Sequence, residues 1–157
     1  MQLLKRVLRF KSVLLVLLAV MITANAQNAK YVDKHKELVS NLSQKYGIPE
    51  KVIMAVAIVE SSSGLGQAAK LFNNHFGMMG AKKTVVKGHK SSLKKYDNDE
   101  ASFVDFCLYV TRRKFYGDLK DTQDPEAWVK ELSKAGYSSK PQVWQKRILT
   151  TINQSKL

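Results

Sequence analysis

Eight consecutive apolar residues, Val52 to Val59, end in a carboxylate at Glu60, and no other segment restricts the fold as much. Pro49 suits the opening of a helix, and the spacing predicts one over about residues 50–62 that is apolar on every side. Such a helix must be wrapped by other elements of the same chain. Glu60 shares the i, i+4, i+8 stripe with Val52 and Val56. A carboxylate there is poorly solvated, which penalises its charged form and raises its pKa. Two roles fit that position. Glu60 is a structural acid satisfied by backbone donors, or it is a carboxyl kept protonated so that it can give a proton to a leaving oxygen. Ser61-Ser62-Ser63-Gly64 ends the helix at once, so the carboxyl can face a cleft.

The wrapping elements are also helical. Leu38, Val39 and Leu42 predict a helix over residues 32–46 that stops at Gly47, and a short one follows over 67–72. Between Gly77 and Tyr96 the helical period disappears. Thr84-Val85-Val86 and Ser92-Leu93 flank Lys87-Gly88-His89 and predict a small β-hairpin. Asp97-x-x-Glu100 reads as a capping box opening a helix through Arg113, with Phe103, Phe106, Cys107 and Val110 on one face. Asp124-Pro125 starts another helix, ending at Gly136. Pro141 introduces the last, with Val143, Ile148 and Ile152 as its packing residues. The fold class is mainly α, one helical lobe interrupted by a short β-hairpin.

Residues 1–26 read as a secretory signal peptide rather than as part of this lobe. Lys5, Arg6, Arg9 and Lys11 precede an apolar run from Val13 to Ile22, and Ala24-Asn25-Ala26 supplies the small-x-small cleavage pattern. The run is short for a membrane span, which needs about 20 apolar residues. Cleavage would leave one exported domain, 27–157, in the periplasm or outside the cell, with no stable membrane insertion. The leader carries four basic residues and no acid, so its loss lowers the net charge from +13 to +9. A basic exported chain suits an anionic partner such as an acidic wall polymer. Nucleic acid is not expected as a partner, because the basic residues are mostly Lys without an Arg-rich cluster interleaved with aromatics.

Several chemistries find little support. A single cysteine, Cys107, excludes an intramolecular disulfide and multi-cysteine metal sites. His35, His75 and His89 show no metal-ligand spacing to one another or to Cys107, so neither a metal nor another cofactor is expected. Gly64-Leu65-Gly66 lacks the Lys-Ser/Thr of a phosphate loop.

The stretch Ala57-Ile58-Val59-Glu60-Ser61-Ser62-Ser63-Gly64-Leu65-Gly66, followed by Phe72-Asn73-Asn74-His75-Phe76-Gly77, resembles the signature of the glucosaminidase family, glycoside hydrolase family 73. There a Glu-Ser-x-x-Gly segment precedes Asn-Asn-x-Phe-Gly. The resemblance continues in order at Lys95-Tyr96-Asp97, around Tyr116 and at Ala135-Gly136-Tyr137-Ser138-Ser139-Lys140-Pro141. It implies a lysozyme-like α-lobe, peptidoglycan glycan strands as partner and cleavage on the N-acetylglucosamine side. It also implies that Glu60 is the general acid, that Asn74, Phe76 and Gly77 lie along the groove, and that Tyr116 and Tyr137 face the sugar. An amide can read an N-acetyl group, and aromatic faces pack on pyranose rings.

The chain departs from that pattern where a second acid is usual. Residues 61–96 contain no Asp or Glu and seven Lys, Met78-Met79 stands where Ile-Lys is common, and Lys140 stands where an acid is common. Asp97 is the second-choice catalytic carboxylate. Three routes meet the gap: attack by the substrate's own N-acetyl group, a lytic transglycosylase using Glu60 alone, or a module that binds peptidoglycan without cutting it. The sequence leaves the oligomeric state unknown.

Overall fold

The computed structural model describes the backbone of residues 2–155 and the side chains of Thr23 and residues 25–155. Its elements run α1 (Gln2–Tyr46), α2 (Glu50–Ser61), α3 (Gln67–Phe72), β1 (Met79–Val86), β2 (His89–Leu93), α4 (Asp99–Thr111), α5 (Tyr116–Leu119), α6 (Pro125–Lys134) and α7 (Pro141–Gln154). The basic and apolar side chains assigned to the leader up to Ile22 lie outside the described residues. The backbone there continues the helix expected from residue 32, so that α1 is one helix of 45 residues. Among the described residues no helix is long and apolar enough to cross a membrane.

α2 is the helix that the others wrap. Val52 through Ile58 are buried without interruption, as expected for a helix apolar all round. α1 lays Tyr31, His35, Val39 and Leu42 against this core, and α7 lays Trp144, Ile148 and Ile152, each at near-i, i+4 intervals. Val143, expected among the packing residues of the last helix, is instead 58% exposed, and its neighbour Trp144 takes the inward place. Phe103, Phe106 and Val110 of α4, with Trp128 and Leu132 of α6, close the core.

The hairpin pairs antiparallel, with Val86 opposite His89 and Val85 opposite Lys90, and an irregularity between Met79 and Thr84. Its turn is Lys87-Gly88, both at positive φ, the geometry that two-residue hairpin turns require. α4 begins one step later than the capping-box reading. Asn98, not Asp97, is the cap, accepting a hydrogen bond from Ala101 N at 2.9 Å. Asp97 is left exposed ahead of it.

Candidate active site

α2 ends in a tight left-handed run. Ser62, Ser63 and Gly64 all have positive φ, and the Ser61 hydroxyl donates to Ala57 O (2.6 Å) while accepting from Gly64 N (2.8 Å). The chain then doubles back so closely that a Cβ on Gly66 would meet Ser61 O at 2.9 Å. These contacts fix the last turn of α2, and with it Glu60.

Glu60 is partly buried. Its Oε1 accepts the indole N–H of Trp144 at 2.7 Å. Desolvation raises the Glu60 pKa above the ordinary carboxylate value, opposed by the Trp144 hydrogen bond and the nearby Arg147 charge. Gly77 (φ 66°) passes beside the same carboxyl, and a Cβ there would stand 3.6 Å from Glu60 Oε2. Tyr137 is near enough for the Glu60 charge to act on it. Burial first, and then that charge, push the Tyr137 phenol well up. Its hydroxyl donates to Phe76 O at 2.8 Å, and its ring lies 5.1 Å from that of Trp144. Beside this corner an open groove of about 950 Å³ is lined by Val59, Ser62, Leu65, Val143 and Arg147 among others.

Glu60, Gly77 and Tyr137 are thus brought together. The other residues drawn from the resemblance are placed differently. Asn74 is fully buried; its amide donates to Met78 O and Lys94 O, both at 2.9 Å, and its carbonyl accepts from Met78 N at 3.0 Å. It has no free donor for an N-acetyl group and instead ties the loop after α3 to the hairpin. Phe76 is 1% exposed and stacked on Phe106 at 4.2 Å, a core position rather than a groove wall. Tyr116 donates to Tyr46 O at 2.6 Å, ahead of the N-terminus of α2. Glu60 sits at the other end, about 15 Å along the helix at 1.5 Å per residue.

Two other carboxylates are held in networks of their own. Asp105 accepts from Tyr96 Oη at 2.6 Å and Lys94 Nζ at 2.7 Å. Burial would raise its pKa, but these hydrogen bonds outweigh burial and hold it down. Asp99 meets Lys34 Nζ at 2.6 Å, His75 Nε2 at 3.0 Å and His35 Nε2 at 3.2 Å. The three histidines lack local ligand spacing, yet folding sets two of them against one carboxylate. That cluster, Trp144 and Arg147 were not found from the sequence. A tryptophan and an arginine four and seven positions into the last helix carry no signal until α7 is packed on α2.

The sequence profile of the family described as mannosyl-glycoprotein endo-beta-N-acetylglucosaminidase matches residues 36–157. The chain is a member of the glucosaminidase family. Solved structures carry the same fold. The glycoside hydrolase domain of FlgJ from Salmonella typhimurium superposes with a TM-score of 0.65 at 19% identity, covering 82% of this chain and 88% of that one. A peptidoglycan hydrolase from Sphingomonas sp. A1 gives 0.65 at 20%, covering 80% and 87%. The catalytic domain of the autolysin Auto from Listeria monocytogenes gives 0.67 at 15%, covering 83% and 86%. No curated protein sequence matches the chain. As a glucosaminidase-family chain it is a glycoside hydrolase with the lysozyme-like α-lobe and short hairpin expected from its sequence.

Proposed function

We propose that this protein is an exported peptidoglycan hydrolase, an endo-acting N-acetylglucosaminidase with Glu60 as proton donor. The observation that carries the reading is the Glu60 carboxyl itself: half-buried at the end of a buried helix, raised in pKa by desolvation, and held by the Trp144 indole. A carboxyl so placed remains protonated to higher pH than a surface acid and can protonate the glycosidic oxygen as the bond breaks. The similar Salmonella, Sphingomonas and Listeria proteins, a glycoside hydrolase, a peptidoglycan hydrolase and an autolysin, support the wall as substrate.

Asp99 and Asp105 are committed to other partners, and Asp97 stands exposed ahead of α4. The substrate's N-acetyl group therefore takes the part of nucleophile. Its carbonyl oxygen attacks the anomeric carbon, the bond to the leaving oxygen breaks, and Glu60 gives that oxygen its proton. The resulting Glu60 carboxylate then takes a proton from water as the water opens the oxazoline. Tyr137 and Gly77, which border the carboxyl, bound the space where the sugar sits. The exposed lysines of the hairpin face the carboxylates of wall peptides. Residues 1–26 are the leader that directs export, and sequencing the N-terminus of secreted protein should find Gln27.

Glu60→Gln keeps the shape and the Trp144 contact but has no proton to give. It should leave folding and pull-down on insoluble peptidoglycan intact while abolishing release of soluble fragments. Equal release by the variant would remove Glu60 from the mechanism.

A further inference from the structure

His35, His75 and Asp99 lie away from the proposed chemistry, where α1, the loop after α3 and the start of α4 meet. Their ligand atoms all fall within 4.8 Å of one another, His35 and His75 are each 3% exposed, and Asp99 forms the rim. For His35 the hydrogen bonds decide which nitrogen carries the proton. His35 Nδ1 is 3.0 Å from Tyr31 O. A carbonyl only accepts, so Nδ1 carries the proton, and in the neutral ring Nε2 is a bare lone pair. That lone pair points at Asp99 Oδ2 from 3.2 Å, acceptor against acceptor. His75 Nδ1 meets the Tyr31 hydroxyl, a group that both donates and accepts, at 2.7 Å. Its buried Nε2 lies 3.0 Å from Asp99 Oδ1 in a geometry that makes no hydrogen bond.

Two imidazoles held from behind by oxygen atoms, with their inner nitrogens converging on one carboxylate, are the arrangement by which proteins orient histidines toward a metal. We propose that His35 Nε2, His75 Nε2 and an Asp99 oxygen form a binding site for a divalent transition ion of the zinc type. Tetrahedral zinc with bonds of about 2.1 Å sets its ligand atoms about 3.4 Å apart; here His75 Nε2 is 3.0 Å from Asp99 Oδ1, His35 Nε2 is 3.2 Å from Oδ2, and the whole set lies within 4.8 Å, so a small inward shift seats the ion. Imidazole and carboxylate donors suit zinc rather than magnesium or calcium. The bound ion staples α1 to the loop bearing Asn74, Phe76 and Gly77. It serves structure rather than the glycosidic bond, so it stands or falls independently of the hydrolase reading. His75 and Asp99 lie within the residues matched by the family profile, and Tyr31, Lys34 and His35 just ahead of them.

Lys34 gives the test its sharpest arm. Its ammonium already sits 2.6 Å from Asp99 Oδ2, on a side chain 65% exposed, and would compete with the ion for that oxygen. Calorimetric titration of the metal-stripped protein with zinc chloride should show one ion per chain. Cobalt(II) should give the visible absorption of a tetrahedral site. His35→Gln should lower zinc affinity at least tenfold. Lys34→Met should raise it several-fold, a gain that misfolding cannot imitate. Failure of the parent to take up stoichiometric zinc, equal affinity in parent and His35→Gln, or no gain in Lys34→Met would each overturn the site and leave Asp99 as the ion-pair partner of Lys34.

Discussion

The indole N–H of Trp144 reaches Glu60 Oε1 across 2.7 Å, so the last helix of the chain holds the carboxyl that ends the second. A hydrogen bond to a charged group contributes about 1.5–3 kcal/mol, and this one favours the ionised form against the desolvation that disfavours it. Trp144→Phe removes the donor and keeps most of the ring. Glu60 should then titrate at higher pH, moving the basic limb of the kcat/KM profile upward, while the loosened carboxyl lowers kcat by about tenfold or more. A pH–rate profile on solubilised glycan checks both effects. A loss of thermal stability with an unmoved limb would reduce Trp144 to packing.

The raised pKa of Glu60 also fixes the sign of a stability change. In the unfolded chain the carboxyl ionises near its ordinary value, whereas in the fold it holds its proton to higher pH. Between those two values the folded state binds more protons, so its stability falls as pH rises through that window. Glu60→Gln removes this titration. Denaturant unfolding should find the variant at least as stable as the parent at neutral pH, with the advantage vanishing below the unfolded pKa. A variant clearly less stable at neutral pH would mean that the charged carboxylate supports the fold.

Gly77 combines φ of 66° with a position beside Glu60 Oε2. Alanine there should cost about 1–2 kcal/mol for the left-handed conformation. It should also lower hydrolysis by about tenfold or more, because the added methyl, in ordinary contact with the carboxyl, fills space beside it that the sugar needs. Melting temperature and turnover measured together separate the two losses.

Asn74 and Tyr116 should behave as structural residues. Asn74→Ala gives up three hydrogen bonds, two of them buried, and should cost about 3 kcal/mol in urea unfolding. Tyr116→Phe loses only the bond to Tyr46 O, a cost of about 1 kcal/mol, with turnover unchanged. A raised KM in Tyr116→Phe at unchanged stability would return that residue to the sugar.

The contrast between these residues shows what the sequence made legible. An uninterrupted apolar run must be buried, and Pro49 at its start with the serines at its end favours a helix over a strand, so α2 and the acid at its end are readable from the residue pattern. Gly88 between two β-prone runs marks the hairpin, whereas Lys87, which also takes positive φ, carries no such signal. The Asn74 amide and the Phe76 ring are ambiguous because a sugar groove and a protein core select the same groups, and only burial separates them. Trp144, Arg147 and the His35–His75–Asp99 cluster depend on contacts across 24 to 87 positions of chain, which no local pattern encodes. Asp97 lost its cap role to Asn98 by a single residue, the margin by which helix starts commonly shift.

Lys82, Lys83, Lys87 and Lys90 project from an exposed hairpin. Their pull on anionic wall material should weaken as salt shortens the screening length to about 10 Å at 0.1 M and about 3 Å at 1 M. Sedimentation of the protein with insoluble peptidoglycan across that range should show binding falling severalfold. Salt-independent binding would assign retention to aromatic contacts alone.

The most direct test of Glu60-dependent glucosaminidase action is mass spectrometry of the fragments released from purified peptidoglycan, with Glu60→Gln run alongside. New reducing N-acetylglucosamine ends should come from the parent and none from the variant. Anhydro-muramyl ends, or reducing ends released equally by both proteins, would contradict it.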